Sequence, residues 1–573
     1  MNRILDIDKT LKDILETSIQ KYSNNKAFSI INGESLTFQE VGKRIERFTS
    51  LLNSYRIAAG EKIALFGGSM PNWPVAYLGV TSSSRVVLPL LPDFTAYEVA
   101  NILEHSGTEI MIVSKKLFYK LSEKIKERLK LIIELDSLSV IKEDDPYLSN
   151  KEQAPIESPA PKAEDIASII YTSGTSGTSK GVMLTHSNLT TNIFQCDKVY
   201  PIYQSDTFLS LLPLSHAYEC TVGMLYPLYG GCHVVYLNGI PSPSVLMPAL
   251  NSVKPTVILS VPLIVEKIYK GKIRPLFTKR LVMQWIYGIM PIRRVLHRIA
   301  GKKLLALFGG RLRFFGIGGA KLDGTVEQFL RDAKFPYAIG YGLTECSPLI
   351  AGAVGKFHKG TTGPTLVDME MRIDDPGANG IGEIQVKGPN IMKGYFKDEA
   401  KTKVSFTPDG WFKTKDLGRM DKKGNLYITG RADNMMLGAS GENIYPEEIE
   451  AIINDNDYVL ESVVTQKNGR LVALIHFNFE QINAIKEVAE IKKSINKTYE
   501  KLSKKYPILA EKWQGFKEIN FATFDAKLEK VKSDLLAYVN DKVNKASQIS
   551  EIIIQETPFQ KTATQKIKRY LYK

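Results

Sequence analysis

Residues 171–181 read YTSGTSGTSKG, with three glycines, one lysine and a run of Ser and Thr hydroxyls following an apolar stretch. A loop of this kind can turn backbone N–H groups and hydroxyls toward phosphate oxygens, with Lys180 adding positive charge. It is not a Walker loop, because Ser179 stands where that motif needs a glycine before the lysine. A flexible Ser/Gly surface loop is the plain alternative. The position of the segment directly after the buried-strand pattern ASIIYTS argues against it. Three further features carry ionisable groups in suggestive settings: His216 in PLSHAYE, Glu345 in GYGLTE, and a basic tail holding Lys561, Lys566, Lys568, Arg569 and Lys573. Each taken alone reads more simply as a packed or solvated side chain.

The elements that must position these residues alternate. EKIALFG (61–67), ASIIYTS (167–173), TVILSVP (256–262), LRFFGIGG (312–319) and FPYAIGYG (335–342) read as buried strands. Each leads through Gly-rich or polar punctuation into a helical pattern. That alternation predicts α/β layers with largely parallel sheets. From about Thr361 the texture changes to short alternating strands (EMRIDD, GEIQVKG, NLYITG) with DKKGN as a hairpin turn, which predicts a small antiparallel subdomain. After Gly430 a separate unit begins. NIYPEEIEAIIND reads as a helix with Pro446 in its first turn, and Ile482, Ile485, Val488, Ile495, Tyr499 and Leu502 recur near helical spacing. A lysine-rich helical stretch then runs to about Ala546.

At 573 residues the chain is too long for one core. Its four cysteines have no Cys-x-x-Cys spacing, so neither a zinc site nor a disulfide framework is expected. No apolar run reaches the ~18 residues of a membrane span, and the N-terminal segment mixes charges into its apolar positions, unlike a secretory signal. The expectation is a reduced, cytoplasmic protein. Of the net charge of +14, residues 254–313 carry most, with fourteen Lys or Arg against Glu266 alone. No nucleic-acid-binding motif accompanies this charge, so phosphate-bearing partners or an anionic membrane surface are the better reading. The acid-free run 275–310 alternates cations with bulky apolar residues. It suits an interfacial helix at the inner membrane face, with Trp285 and Tyr287 at headgroup level and contact through 271–313. A tunnel-lining helix with a solvated basic face is the competing reading.

The loop 171–181 resembles the phosphate loop of the adenylate-forming superfamily, which includes acyl-CoA synthetases, luciferases and peptide-synthetase adenylation domains. Seven further segments resemble that family's motifs, in its order. They are LLPLSHAYE (211–219), GGAKL (318–322), GYGLTE (340–345), GEIQVKGPNIMKGYF (382–396), GWFKTKDLG (410–418), GRADNMMLGASGENIYPEEIE (430–450) and QKTATQKIKR (560–569). The ASGENIYPEEIE wording and the long segment before Gly-Gly-Ala resemble long-chain fatty acyl-CoA synthetases in particular.

The resemblance implies roles for individual residues. Thr172, Ser173, Gly174, Thr175, Ser176, Gly177, Thr178 and Lys180 would cradle phosphates. Thr344 would contact phosphate and Glu345 would hold Mg²⁺, a hard cation that takes oxygen ligands. Gly319, Ala320 and Tyr341 would form the adenine pocket, with Gly342 also binding the nucleotide. Asp416 would accept from both ribose hydroxyls, and Arg431 would reach the ribose or phosphate. Lys566 would bridge the attacking carboxylate and the α-phosphate. Gly441 would line the path of coenzyme A, His216 would sit beside the acyl group, and Asp433 would be a hinge. Two positions depart from the pattern: Lys415 and Gln565 stand where the family usually has glycine. If that first glycine needs positive φ, Lys415 carries strain of ~1 to 3 kcal/mol.

The resulting expectation is an α/β enzyme of two domains. A large AMP- and acyl-binding domain spans 1–430, with its β subdomain over 360–430, and a small mobile α+β domain spans 431–573. Such an enzyme would use ATP, Mg²⁺ and coenzyme A to convert a fatty acid to acyl-AMP and then acyl-CoA. Transfer to a carrier protein's phosphopantetheine, or a non-catalytic nucleotide-binding scaffold, are the alternatives.

Overall fold

The computed structural model describes residues 8–145, 147–151, 153–173, 179–239, 241–278, 287, 289–437, 443–467, 469–479, 482, 514–561 and 567–572. The chain forms two compact units, one of residues 1–322 with 326–428, the other of 323–325 with 429–573. Among the described residues no helix is long and apolar enough to cross a membrane.

The first unit is built on two eight-stranded sheets. In one, strands Lys62–Phe66, Val86–Leu90, Ile110–Val113, Leu131–Glu134 and Ile166–Ser173 run parallel, with antiparallel strands added at both ends. These strands are near-continuous runs of Val, Ile and Leu because both faces of the sheet are buried. In the other, Lys26–Ile30, His233–Tyr236, Thr207–Ser210, Val257–Ser260, Phe314–Ile317 and Tyr337–Gly342 lie side by side in parallel. Capping boxes at Thr10, Thr37, Thr95 and Thr185 start four of the helices by satisfying exposed N–H groups. A third sheet, of strands Glu370–Asp374, Gly382–Lys387, Phe412–Met420 and Leu426–Arg431, has its first three strands paired antiparallel. Its alternating side chains fit a sheet with one solvated face.

One local expectation is corrected. The segment after residues 174–178 is not a helix but the strand Ser179–Thr185, which returns antiparallel to Ile166–Ser173, with Thr172 opposite Lys180. The helix begins only at His186, where Thr185 and Asn188 form the capping box. The physical reason lies in GVML, residues 181–184. Val182 and Leu184 are fully buried, which a strand paired with Ile166–Ser173 accomplishes and a helix start does not.

In the second unit, strands Val459–Lys467, Arg470–Phe477 and Glu551–Ile554 form a sheet beneath helices Pro446–Asn454 and Gln514–Lys542. Its core includes Ile449, Ile453, Val464, Leu535 and Val539. Buried Glu450 accepts from the Val464 N–H and pairs with Arg569, which ties the C-terminal segment to this unit. Ile485, Val488, Ile495, Tyr499 and Leu502 lie outside the described residues.

Candidate active site

In parallel sheets ligands gather where strands end in their C-terminal direction. Three of the motifs lie at one such edge. Gly319 (φ +86°) and Ala320 are exposed just past strand Phe314–Ile317. Tyr341 and Gly342 end the neighbouring strand, and His216 follows strand Thr207–Ser210. Gly342 has no room for a side chain, because a Cβ there would lie 1.9 Å from the Pro348 carbonyl oxygen. His216 is half-buried, and its Nδ1 accepts from the Tyr218 N–H at 3.3 Å.

Immediately after Tyr337–Gly342, Thr344–Cys346 forms a tight turn that buries Glu345. The Glu345 carboxylate accepts from the Tyr395 hydroxyl at 2.9 Å, and Lys180 Nζ lies 3.5 Å from the same oxygen. Lys180 also donates to the Tyr395 hydroxyl at 3.2 Å and sits 4.8 Å above its ring. Lys180 and Tyr395 come from paired strands at the end of one eight-stranded sheet, while Glu345 follows a strand of the other. Only the packing of the two sheets brings them together. Burial and the Glu345 charge both push the Tyr395 phenol up, so it remains a donor.

A second pair joins the same region. The Tyr341 hydroxyl donates to Asp416 Oδ2 at 2.7 Å, both side chains being buried. Burial, reinforced by the Asp416 charge, holds the Tyr341 phenol protonated. Asp416 lies on strand Phe412–Met420, where its own N–H bonds Thr414 Oγ1 at 3.1 Å. The preceding Lys415 adopts φ +61°, the left-handed conformation in which a glycine would be relaxed. Its N–H donates to Glu383 Oε1 at 3.1 Å.

Thr172, one residue before the end of its strand, has a buried hydroxyl oxygen with no hydrogen-bond partner, a group suited to an incoming phosphate. The backbone of Ser173 continues the strand to the loop. Gly174, Thr175, Ser176, Gly177 and Thr178 lie outside the described residues, as do Gly441, Gln565, Lys566 and Trp285. Arg431 and Asp433 belong to the second unit, Arg431 ending a strand and Asp433 exposed in the turn Ala432–Asn434.

Tyr395 and Tyr218 are the residues that sequence reasoning missed. The signal for Tyr395 was present in the segment ending GYF (394–396). The signal for Tyr218 was its place two residues after His216. Its phenol lies against Gly316 and Gly318, just before the turn at Gly319 and Ala320. Beside it, Glu219 is fully buried, with Oε2 unpartnered, and desolvation pushes its carboxyl up to about 8.

A Mg²⁺ ion fits Glu345 in one specific way. Among the described residues no group of three or more His, Cys, Asp or Glu could hold a metal. Glu345 could therefore offer a metal only a single hard oxygen ligand, which would suit a Mg²⁺ that arrives with substrate phosphates.

The sequence profile described as "AMP-binding enzyme" matches residues 15–396. The peroxisomal long chain acyl-CoA synthetase 7 of Arabidopsis thaliana is 30% identical over 514 residues, covering 81% of this chain and 73% of that protein. The long-chain-fatty-acid–CoA ligase 1 of Cavia porcellus is 28% identical over 505 residues, covering 80% of this chain and 71% of that protein. Among solved structures, the o-succinylbenzoate CoA synthetase of Bacillus subtilis in complex with its acyl-adenylate intermediate superposes with a TM-score of 0.74. It covers 99% of this chain and 98% of its own, at 21% identity, a likeness of fold. With the profile spanning most of the first unit and relatives extending over four-fifths of its length, this chain belongs to the AMP-binding enzyme family.

Proposed function

We infer that this chain is an AMP-forming acid–thiol ligase. It joins a long-chain fatty acid to AMP with release of pyrophosphate, then passes the acyl group to coenzyme A. The observation that carries the reading is the Lys180–Glu345–Tyr395 cluster beside the Ser/Thr/Gly loop, in a chain whose relatives are named as long-chain acyl-CoA synthetases. A carboxylate is a poor acyl donor, and the adenylate makes it a good one once the charge on the α-phosphate and departing pyrophosphate is neutralised.

The chain's own residues divide that work. Lys180 and the loop hydroxyls, with Thr172 and Thr344, hold the phosphates. Glu345, oriented by Tyr395, would hold a Mg²⁺, which would supply positive charge against that of the polyphosphate. Asp416, fixed by Tyr341, accepts from the ribose hydroxyls, with Arg431 reaching the ribose or phosphate. Gly319, Ala320 and Gly342 leave room for the adenine. Lys566 supplies the ammonium between carboxylate and α-phosphate. The segment 431–573 then rotates about Asp433 and brings Gly441 to the path of the pantetheine thiol, which attacks the acyl carbon beside His216 as AMP departs. The basic segment 271–313 contacts an anionic membrane face, the source of the fatty acid.

The test is AMP release and acyl-CoA formation over a series of fatty acids, with free coenzyme A compared against acyl carrier protein. Fatty-acid-dependent AMP release with thioester appearing on free coenzyme A supports the assignment. Thioester on carrier protein alone moves it to the other acceptor. Absence of fatty-acid-dependent pyrophosphate exchange rejects it.

A further inference from the structure

A surface recess of about 320 Å³ opens between helix Met290–Leu307 and the end of helix Gly324–Asp332, lined by Arg294, Arg298, Gln328, Arg331, Asp332 and Lys334. Four of the six are cations. The one acid is already committed, since Asp332 Oδ2 lies 2.9 Å from His297 Nδ1 and Oδ1 accepts from Gln328 at 3.0 Å. Among the described residues, Arg294, Arg298 and Lys334 take part in no ion pair. The recess is therefore a concentration of unneutralised positive charge. It lies at the N-terminal end of strand Tyr337–Gly342, opposite the end that leads to Glu345.

The recess is held rigidly. His297 is buried, and it bonds Tyr287 at 2.7 Å on one side and Asp332 on the other. Tyr287 itself stacks on Phe277 at 5.0 Å, so it packs inward and is not at headgroup level as its sequence position suggested. Gly301 lets the two helices meet closely, because a Cβ there would come within 2.6 Å of Ala333 Cβ. Arg331 is anchored by donating to the Phe357 carbonyl. Lys334, at φ +55°, makes the turn from helix to strand.

The same helix carries a second, apolar feature on its outer side. Ile292, Val295 and Ile299, spaced i, i+3, i+7, are 39%, 54% and 52% exposed. Arg294, Arg298 and Lys302 flank that stripe, and Met290–Leu307 contains five cations and no acid. A site for a soluble phosphate would leave this stripe unexplained. A lipid leaflet accounts for both, with apolar side chains entering the acyl boundary and cations meeting phosphates at its surface.

We propose that the recess between these helices receives the phosphate of an anionic phospholipid headgroup while Ile292, Val295 and Ile299 enter the acyl layer. This rests on the membrane contact proposed above and extends it to Arg331 and Lys334, which lie outside 271–313.

The test measures binding of the full chain to phosphatidylcholine vesicles with and without phosphatidylglycerol. Vesicles containing phosphatidylglycerol should retain the protein. Lys334→Asn, which tolerates the left-handed backbone, should weaken that binding about fivefold, and Lys334→Arg should preserve it. Val295→Ser with Ile299→Ser should weaken binding to the same vesicles. Inorganic phosphate should compete better than chloride at equal ionic strength. Wild-type protein that ignores both vesicles overturns the recess and the membrane contact together. Retention that is lost on neutralising Arg293, Arg294 and Arg298 but unchanged in Lys334→Asn and Arg331→Gln overturns the recess and leaves the contact standing. Lys334-dependent protection by inorganic phosphate without vesicle binding assigns the recess to a soluble anion and overturns the lipid. Circular dichroism and pyrophosphate exchange on each variant separate these outcomes from misfolding.

Discussion

Lys180 and Glu345, 165 positions apart in the sequence, meet with Nζ and Oε1 3.5 Å apart, and the Tyr395 hydroxyl bonds both. A cation and a tyrosine thus hold a carboxylate beside the loop proposed to carry phosphate. Tyr395→Phe keeps the ring and the lysine above it but removes the donor. With a charge-assisted bond contributing ~1.5 to 3 kcal/mol, adenylation at limiting Mg²⁺ should fall by roughly tenfold or more. Glu345→Ala should fall further and recover partly at high Mg²⁺. Wild-type pyrophosphate exchange by both variants at limiting Mg²⁺ would remove the cluster from the reaction.

Variants at Lys566 and Asp433 should separate the two proposed half-reactions. Lys566→Ala should lose on the order of 10²-fold or more in acyl-AMP formation, the effect of deleting a preorganised charge, yet still convert supplied acyl-AMP and coenzyme A to acyl-CoA. Asp433→Pro should form acyl-AMP and fail to transfer it, because proline would fix φ at the proposed pivot. Loss of both steps by a folded Lys566→Ala protein contradicts the division.

Backbone strain at Lys415 is measurable by substitution. The φ of +61° disfavours a β-branched side chain most, so Lys415→Val should lower stability by about 1 to 2 kcal/mol. Lys415→Gly should leave the protein as stable as wild type or more so, since relief of strain offsets the entropy of glycine. Chemical denaturation of the two variants checks the ordering, and a stable valine variant would refute it.

Glu219 makes stability depend on pH. Its carboxyl, ordinarily at 4.5, is raised to about 8 by burial, so the folded protein keeps a proton that the unfolded chain releases much earlier. The contribution is fully present below about pH 4.5 and is lost as pH rises through about 8, at up to roughly 1.4 kcal/mol per pH unit. Glu219→Gln mimics the neutral acid and should flatten this slope. The difference in Tm between variant and wild type should therefore shift in favour of glutamine from about pH 5 to pH 8. Parallel Tm curves across that range would show that Glu219 is ionised in the folded state.

The parallel sheets were legible because strands buried on both faces must be apolar along their length, and Ile63, Ala64, Val87, Leu88, Ile112 and Val113 are all fully buried. The antiparallel sheet beyond residue 360 was legible from its alternation, and the possible strain at Lys415 from a single position in a motif. What the sequence could not determine was which distant groups face one another. Residues 179–185 carry no local mark that favours a returning strand over a helix start, and burial of Val182 and Leu184 against the sheet made that choice. Tyr395, Tyr218 and the recess at Lys334 have the same origin. A hydrogen bond or a cluster of like charges between segments dozens to hundreds of residues apart depends on how sheets and helices pack. Packing follows from shape and burial summed over the whole core, and no local pattern of residues encodes that sum.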